Sequence, residues 1–257
     1  MGEALLSRLV AKNVFSTDTV CVSDPLPQRQ ADLSQRYGIQ TTSDNRLVFQ
    51  DASIVLLAIK PQIFARVVAG LEGDRPTPPP DQMLVSILAG TSLVQLESAF
   101  PGQPVVRVMP NTPAIVGTGM TAIAPGQQAT AEHMATARQL FEAVGEVVEV
   151  PESMMDAVTG VSGSGPGFLA VITEAMIDGG VLAGLPRAIA TQLVLQTLRG
   201  TAELLQSGVH PAELKDRVTS PGGTTIAGVS ELEDAGVRSA MIQAVWAAYA
   251  RSQELGQ

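Results

Sequence analysis

Apolar residues follow two rhythms along this chain. Through residue 151, short continuous apolar runs alternate with segments whose apolar positions recur at helical spacing. SIVLLAI (53–59), MLVSIL (83–88) and PVVRVM (104–109) have strand length and are rich in Val, Ile and Leu. TVCVS (19–23) is a shorter run, and further strands are expected at 119–123 and 146–150. GEALLSRLVAK (2–12), QRQADLSQRYG (28–38), QIFARVVAGL (62–71), the stretch after Gly90 through Phe100, and 130–142 read as helices. Gly38 is placed to end the second of these. PTPPP (76–80) is a loop, because proline cannot continue a helix. Near-continuous apolar strands alternating with helices predict a parallel sheet covered on both faces. From 152 the strand rhythm stops, and 165–183, 186–206, 210–218, 223–235 and 237–254 read as helices. The fold class is therefore α/β, with a parallel-sheet domain over 1–151 followed by an all-helical domain over 152–257.

Composition narrows the function classes. Apolar residues make up 45% of 257 and charged ones 16%, which is globular composition. The net charge of −9 with scattered basic residues argues against a nucleic-acid or anionic-membrane surface. No apolar stretch is expected to reach the ~18 residues of a membrane span, and no signal peptide is recognised, so a cytoplasmic protein is the default. The single cysteine, Cys21, sits in an apolar run and is expected to be a small buried hydrophobe. The two histidines, His133 and His210, lack metal-ligand spacing, so no metal is expected. His210 precedes Pro211 at a helix start and reads as a cap.

Two stretches carry candidate chemistry. In an open α/β sheet, ligands bind at the carboxyl ends of strands, and the first strand–helix turn carries a G-x-G-x-x-G fingerprint. Only Met1-Gly2 precedes the first helix here, so Gly2 reads as the third glycine of that fingerprint. Asp24 stands 22 positions on, just past a strand, where an acid binds a ribose hydroxyl. On this reading the first strand and two glycines are missing, two strand edges stay unpaired, and Met1 is expected to be an internal methionine of a longer protein. The second stretch is LKDRVTSPGGTTI (214–226). Two glycines at a helix start leave N–H groups open to an anion, and two threonines add hydroxyls. SGSGPGF (162–168) lacks the lysine of a phosphate loop.

Taken together, VVRVMPNTPAIVGTGMTAIAP (105–125), DAVTGVSGSGPGF (156–168) and LKDRVTSPGGTTI (214–226) resemble pyrroline-5-carboxylate reductase, with AIKP (58–61) and LAG (88–90) in agreement. The resemblance runs over essentially the whole chain except its amino end. It implies a Rossmann domain and a helical domain that forms an interlocked homodimer, with dimers building larger rings. It implies reduction of 1-pyrroline-5-carboxylate to L-proline by NADPH or NADH, without a metal. Ser220, Gly223 and Thr224 would hold the substrate carboxylate, and Thr225 would stand at the ring nitrogen as the catalytic hydroxyl. The cofactor would meet Gly2, Ser23, Asn45, Ala58, Ile59, Lys60, Pro61, Leu88, Ala89 and Gly90, with Asn111 at the nicotinamide or shaping the substrate pocket. Asp24 favours a free 2′-hydroxyl, whereas Ser23 and Arg29 suit a 2′-phosphate; the family leans to NADPH. Trp246 and Tyr249 are expected to pack in a core or dimer contact. The competing readings are a related imine or β-hydroxyacid reductase and a truncated, non-catalytic oligomer partner. In the chain as given, nucleotide binding is expected to suffer before the carboxylate cradle does.

Overall fold

Leu5 and Leu6 give one side of the first helix its buried stripe, and α1 spans Gly2–Ala11. The computed structural model describes residues 1–71 and 77–256. After α1 come β1 (Cys21–Ser23), α2 (Pro27–Tyr37), β2 (Gln40–Thr42), α3 (Asn45–Asp51), β3 (Ile54–Leu57) and α4 (Phe64–Ala69). β4 (Met83–Ser86), α5 (Leu93–Ala99), β5 (Val105–Met109), β6 (Gly119–Pro125), α6 (Ala131–Glu142) and β7 (Gly145–Glu149) follow. Gly38 caps α2 in the left-handed conformation, with φ +66. Of the proline loop, 77–80 carries no helix, and Pro76 lies outside the described residues.

The strands form two separate sheets. Among the described residues β1 pairs with β2 alone, and the order β3-β4-β5-β6-β7 makes the larger sheet. The sheet is thus interrupted between β1 and β3, where unpaired edges are expected from the amino-end pattern. Within the larger sheet β3, β4 and β5 are parallel, as are β6 and β7. The β5–β6 pair is antiparallel, a correction to an all-parallel sheet. The connection between them, 110–118, holds a 3-10 turn and no crossover helix, and so short a link returns the chain antiparallel.

Both faces of the larger sheet are buried, which is why its strands read as continuous apolar runs. Along β4, Met83 and Val85 join Leu5, Val106, Val108 and Phe141 on one face. Leu84 joins Val55, Leu57, Leu96 and Phe100 on the other. Two elements escape the apolar pattern. β2 is Gln-Thr-Thr, and α3 has a single buried residue, Phe49, which stacks on Phe100 at 5.3 Å. Cys21 is exposed rather than buried, because β1 is a short strand with just one neighbour.

The remainder is helical: α7 (Met155–Val158), a π-turn over Thr159–Gly163, α8 (Gly165–Leu182), α9 (Arg187–Gln206), α10 (Pro211–Arg217), α11 (Thr224–Asp234) and α12 (Val237–Leu255). Contacts divide the chain after Ser164. Gly165–Ala247 forms one unit, and the chain from Ala248 onward groups with the sheet unit. Ser252, in the end of α12, donates to the Asp156 carboxylate at 2.6 Å. A second correction concerns apolar length. An 18-residue window of the helical run Glu152–Leu182 reaches a mean hydropathy of 1.2, is long and apolar enough to cross a membrane by composition, and has none of its residues buried.

Candidate active site

The sheet unit places one set of predicted residues at the carboxyl ends of neighbouring strands. Leu57 pairs with Ser86, and Ser86 with Arg107, so 58–61, 88–90 and 110–111 all leave the same edge of β3, β4 and β5. Ala58 and Lys60 are exposed and Ile59 half-buried, while Pro61 opens a 3-10 turn with Lys60 as its N-cap. Leu88 is buried in the core, which leaves its backbone for any ligand. Ala89 is half-buried, and Gly90, at φ +75, turns the chain against Leu255.

Gly2 begins α1, whose start has no side-chain cap. A Cβ on Gly2 would stand 3.0 Å from the Ala58 Cβ, so the helix start and the end of β3 touch at a point where bulk is excluded. That is the packing role of the third fingerprint glycine, beside open helix N–H groups suited to phosphate. Ser23 ends β1 and pairs with Thr42. Asp24 accepts from the Leu26 N–H at 2.9 Å, and Asn45 is half-buried at the start of α3.

Asn111 is committed to structure through both of its polar atoms. Its Oδ1 accepts from the Met120 N–H at 2.9 Å, and its Nδ2 donates to the Ser162 carbonyl at 3.1 Å. It therefore ties the end of β5 to the start of β6 and to the π-turn. Gly163, in that turn, lies against the Met109 Cε, and a side chain there would require that methyl to move. π-turns recur at functional sites, and the glycines of SGSG are the sequence signal for this close approach.

Three further groups shape this unit. Arg8 donates from Nε to the Ile115 carbonyl at 3.1 Å and holds the 112–116 turn from α1. Glu152 accepts from the Leu93 N–H at 2.5 Å and from the largely buried Arg107 at 3.0 Å, joining the start of α5 to β5. Glu3 accepts from Arg29 at 2.5 Å, Arg36 at 2.7 Å and Tyr37 at 3.0 Å, joining α1 to α2. The hydrogen bonds from Arg29 and then Tyr37 hold the Glu3 carboxyl below the usual glutamate range. No short motif announces these pairs, because each joins residues distant in sequence.

The helical unit places the second set. His210 caps α10 by accepting from the Ala212 N–H at 3.2 Å. The chain then turns through Ser220–Gly223, closed by a 3.0 Å bond from the Gly223 N–H to the Ser220 carbonyl. Gly222 adopts φ +66, a conformation that penalises any side chain. Gly223 is the N-cap of α11 and makes no side-chain cap bond. A Cβ at Gly223 would overlap the Ser220 hydroxyl, so the missing side chain is what lets that hydroxyl sit over the helix start. The first N–H groups of α11, the Ser220 hydroxyl, the exposed Thr224 and the half-buried Thr225 are thus gathered around one helix start. The arrangement can hold a carboxylate and offer a hydroxyl beside it.

Residues 152–255 match the family model for pyrroline-5-carboxylate reductase dimerisation, and residues 1–90 match that for NADP oxidoreductase, coenzyme F420-dependent. The chain is 52% identical over its full length to a pyrroline-5-carboxylate reductase of Synechocystis sp., covering 95% of that protein. It is 43% identical, again over its full length, to one from Methanosarcina acetivorans, covering 95% of that protein. The crystal structure of Plasmodium falciparum pyrroline carboxylate reductase with NADP bound superimposes with a TM-score of 0.89 at 28% identity, over 100% of this chain and 95% of that one.

Proposed function

The chain belongs to the pyrroline-5-carboxylate reductase family, and from that premise we propose that it reduces 1-pyrroline-5-carboxylate to L-proline with NADPH or NADH, the last step of proline biosynthesis. The observation that carries this reading is the 52% identity sustained over the whole chain. The residues present suit a dinucleotide: a glycine at the first position of α1, closely packed on Ala58, and uncapped helix N–H groups beside it.

The nicotinamide, when bound, supplies the hydride that adds to the imine carbon. The Ser220 hydroxyl and the N–H groups at the start of α11 bind the substrate carboxylate, with Gly223 leaving the room they need. Thr225 stands at the ring nitrogen and orients the proton that nitrogen receives as the C=N bond becomes a C–N single bond. A threonine hydroxyl is a weak acid, so Thr225 positions or relays that proton and does not generate it. Gly2, Ser23, Asn45, Ala58, Ile59, Lys60, Pro61, the backbone of Leu88, Ala89 and Gly90, and Asn111 form the cofactor side. Asn111 acts by fixing the 110–120 turn through its two hydrogen bonds.

The substrate is a small molecule, and the helical segment is an oligomerisation element. We further propose a homodimer that builds rings of dimers, in the cytoplasm. The apolar run that passes for a membrane span lies inside the segment matched by the dimerisation model, so a second copy covers it. A groove of about 560 Å³ along α8 and α9, lined by Leu169, Ile177, Thr191 and Leu195 among others, belongs to that face.

The test is coenzyme oxidation with 1-pyrroline-5-carboxylate, read together with proline formation and set against linear hydroxy acids as substrates. Proline formed only from the cyclic imine is expected. Turnover of hydroxy acids in its place would move the assignment to another reductase of the same plan.

A further inference from the structure

The arginines of α2 and α3, the helices that follow β1 and β2, are already held in ion pairs. Arg29, in the first turn of α2, and Arg36, in its last, both bind Glu3 at the start of α1. Arg46, at the start of α3, is bound to Asp44. Asp24 follows Ser23 directly and lies close enough to Arg29 to interact with its charge. Three guanidinium groups are thus balanced by three carboxylates.

In a doubly wound sheet the strand end at Ser23 receives the adenosine ribose, where an acid binds a 2′-hydroxyl and an arginine receives a 2′-phosphate. Arg29 is the cation nearest in sequence to Ser23 and Asp24, yet its charge and one of its donors are taken by Glu3. The Glu3 carboxylate is itself saturated by Arg29, Arg36 and Tyr37, with a side chain 28% exposed.

We propose that Glu3 is a specificity-determining residue: by engaging Arg29 it weakens the protein's discrimination in favour of a coenzyme that carries a 2′-phosphate. The inference rests on the coenzyme site read above and adds what tunes it. A 2′-phosphate approaching Arg29 meets a neutralised fork and has to compete with a carboxylate for it. Removing the Glu3 charge releases the fork for a bidentate phosphate contact, which is charge-assisted and strong. A coenzyme with a 2′-hydroxyl makes no such contact and is indifferent to the change.

The test uses equilibrium titration by calorimetry, with adenosine 2′,5′-bisphosphate and adenosine 5′-monophosphate as probes. Glu3→Gln keeps the size and the hydrogen bond to Tyr37 while losing the charge. It is expected to tighten the bisphosphate by about threefold to tenfold and leave the monophosphate within about twofold. In the Glu3→Gln, Arg29→Ala double variant the gain is expected to vanish. Both probes shifting together would assign Glu3 a purely structural role and overturn the proposal. A gain that survives without Arg29 would overturn it as well. Failure of both probes to bind the unsubstituted protein would overturn the coenzyme-site reading, and this inference with it.

Discussion

Single residues around the start of α11 decide between a plain turn and a working site. Thr225 is half-buried in the first turn and is replaceable by valine with almost no change of shape. Thr225→Val is expected to lower kcat by about tenfold to a hundredfold, within or just below the range of positioned proton transfer, with the melting temperature unchanged. Steady-state kinetics beside a thermal melt checks this, and an unchanged kcat would remove Thr225 from the mechanism. Gly223 carries a different load. Its backbone is extended at φ −80, so alanine is not strained there, and the obstacle is the Ser220 hydroxyl. Gly223→Ala is therefore expected to displace that hydroxyl and raise KM for the substrate severalfold, with little effect on coenzyme KM. In the sheet, Thr121 gives a contrasting case. Its hydroxyl is fully buried and finds no partner among the described residues. Thr121→Val is expected to stabilise the protein by about 1 kcal/mol, read from the urea midpoint.

At the scale of elements, the chain is held by ties that its local pattern does not display. The Glu3 cluster joins α1 to α2 and has a pH signature. Its folded pKa lies below the unfolded value, so the tie stabilises above the ordinary glutamate range and is lost as pH falls through the lowered value. Melting temperatures of the wild type and Glu3→Gln should differ at neutral pH and converge in acid; a gap that persists in strong acid would contradict the tie. Sequence periodicity, with local breaks, recovers α1, α2, α4, α5, α6 and the helices from α8 to α12, and the strands β1 and β3 to β7. It misses β2 and α3, since Gln-Thr-Thr has no apolar rhythm and α3 buries Phe49 alone. It misplaces Cys21 for the converse reason, because an apolar run beside an unpaired edge need not be covered. Local motifs expose the α11 cradle, whose turn, glycines and hydroxyls are consecutive. They cannot expose the Arg107–Glu152 pair or the Asn111–Ser162 link, which join residues 45 and 51 positions apart.

The molecule as a whole is short of core in its helical half. Of Gly165–Ala247, only Ala190 and Val194 are buried. A unit of this size cannot offset its conformational entropy on two buried side chains. Its apolar side chains lie outside: Val171 is 67% exposed, Leu182 91%, Ile242 63% and Trp246 64%. Trp246 is therefore not a core residue within one chain, which leaves the dimer contact of the two roles expected for it. An apolar surface on this scale needs a partner, and the dimerisation match over 152–255 makes the partner a second copy of the same chain. Folding of the helical half and assembly are then one equilibrium, so stability depends on protein concentration. Val171→Glu puts a charge on the exposed side of α8. It is expected to shift the mass by light scattering from a dimer or larger species towards the monomer, and to lower the melting temperature of the helical half. Raising the protein concentration should raise the wild-type melting temperature and do less for the variant. A wild type that is monomeric and melts independently of concentration would mean that something other than a second copy covers this face.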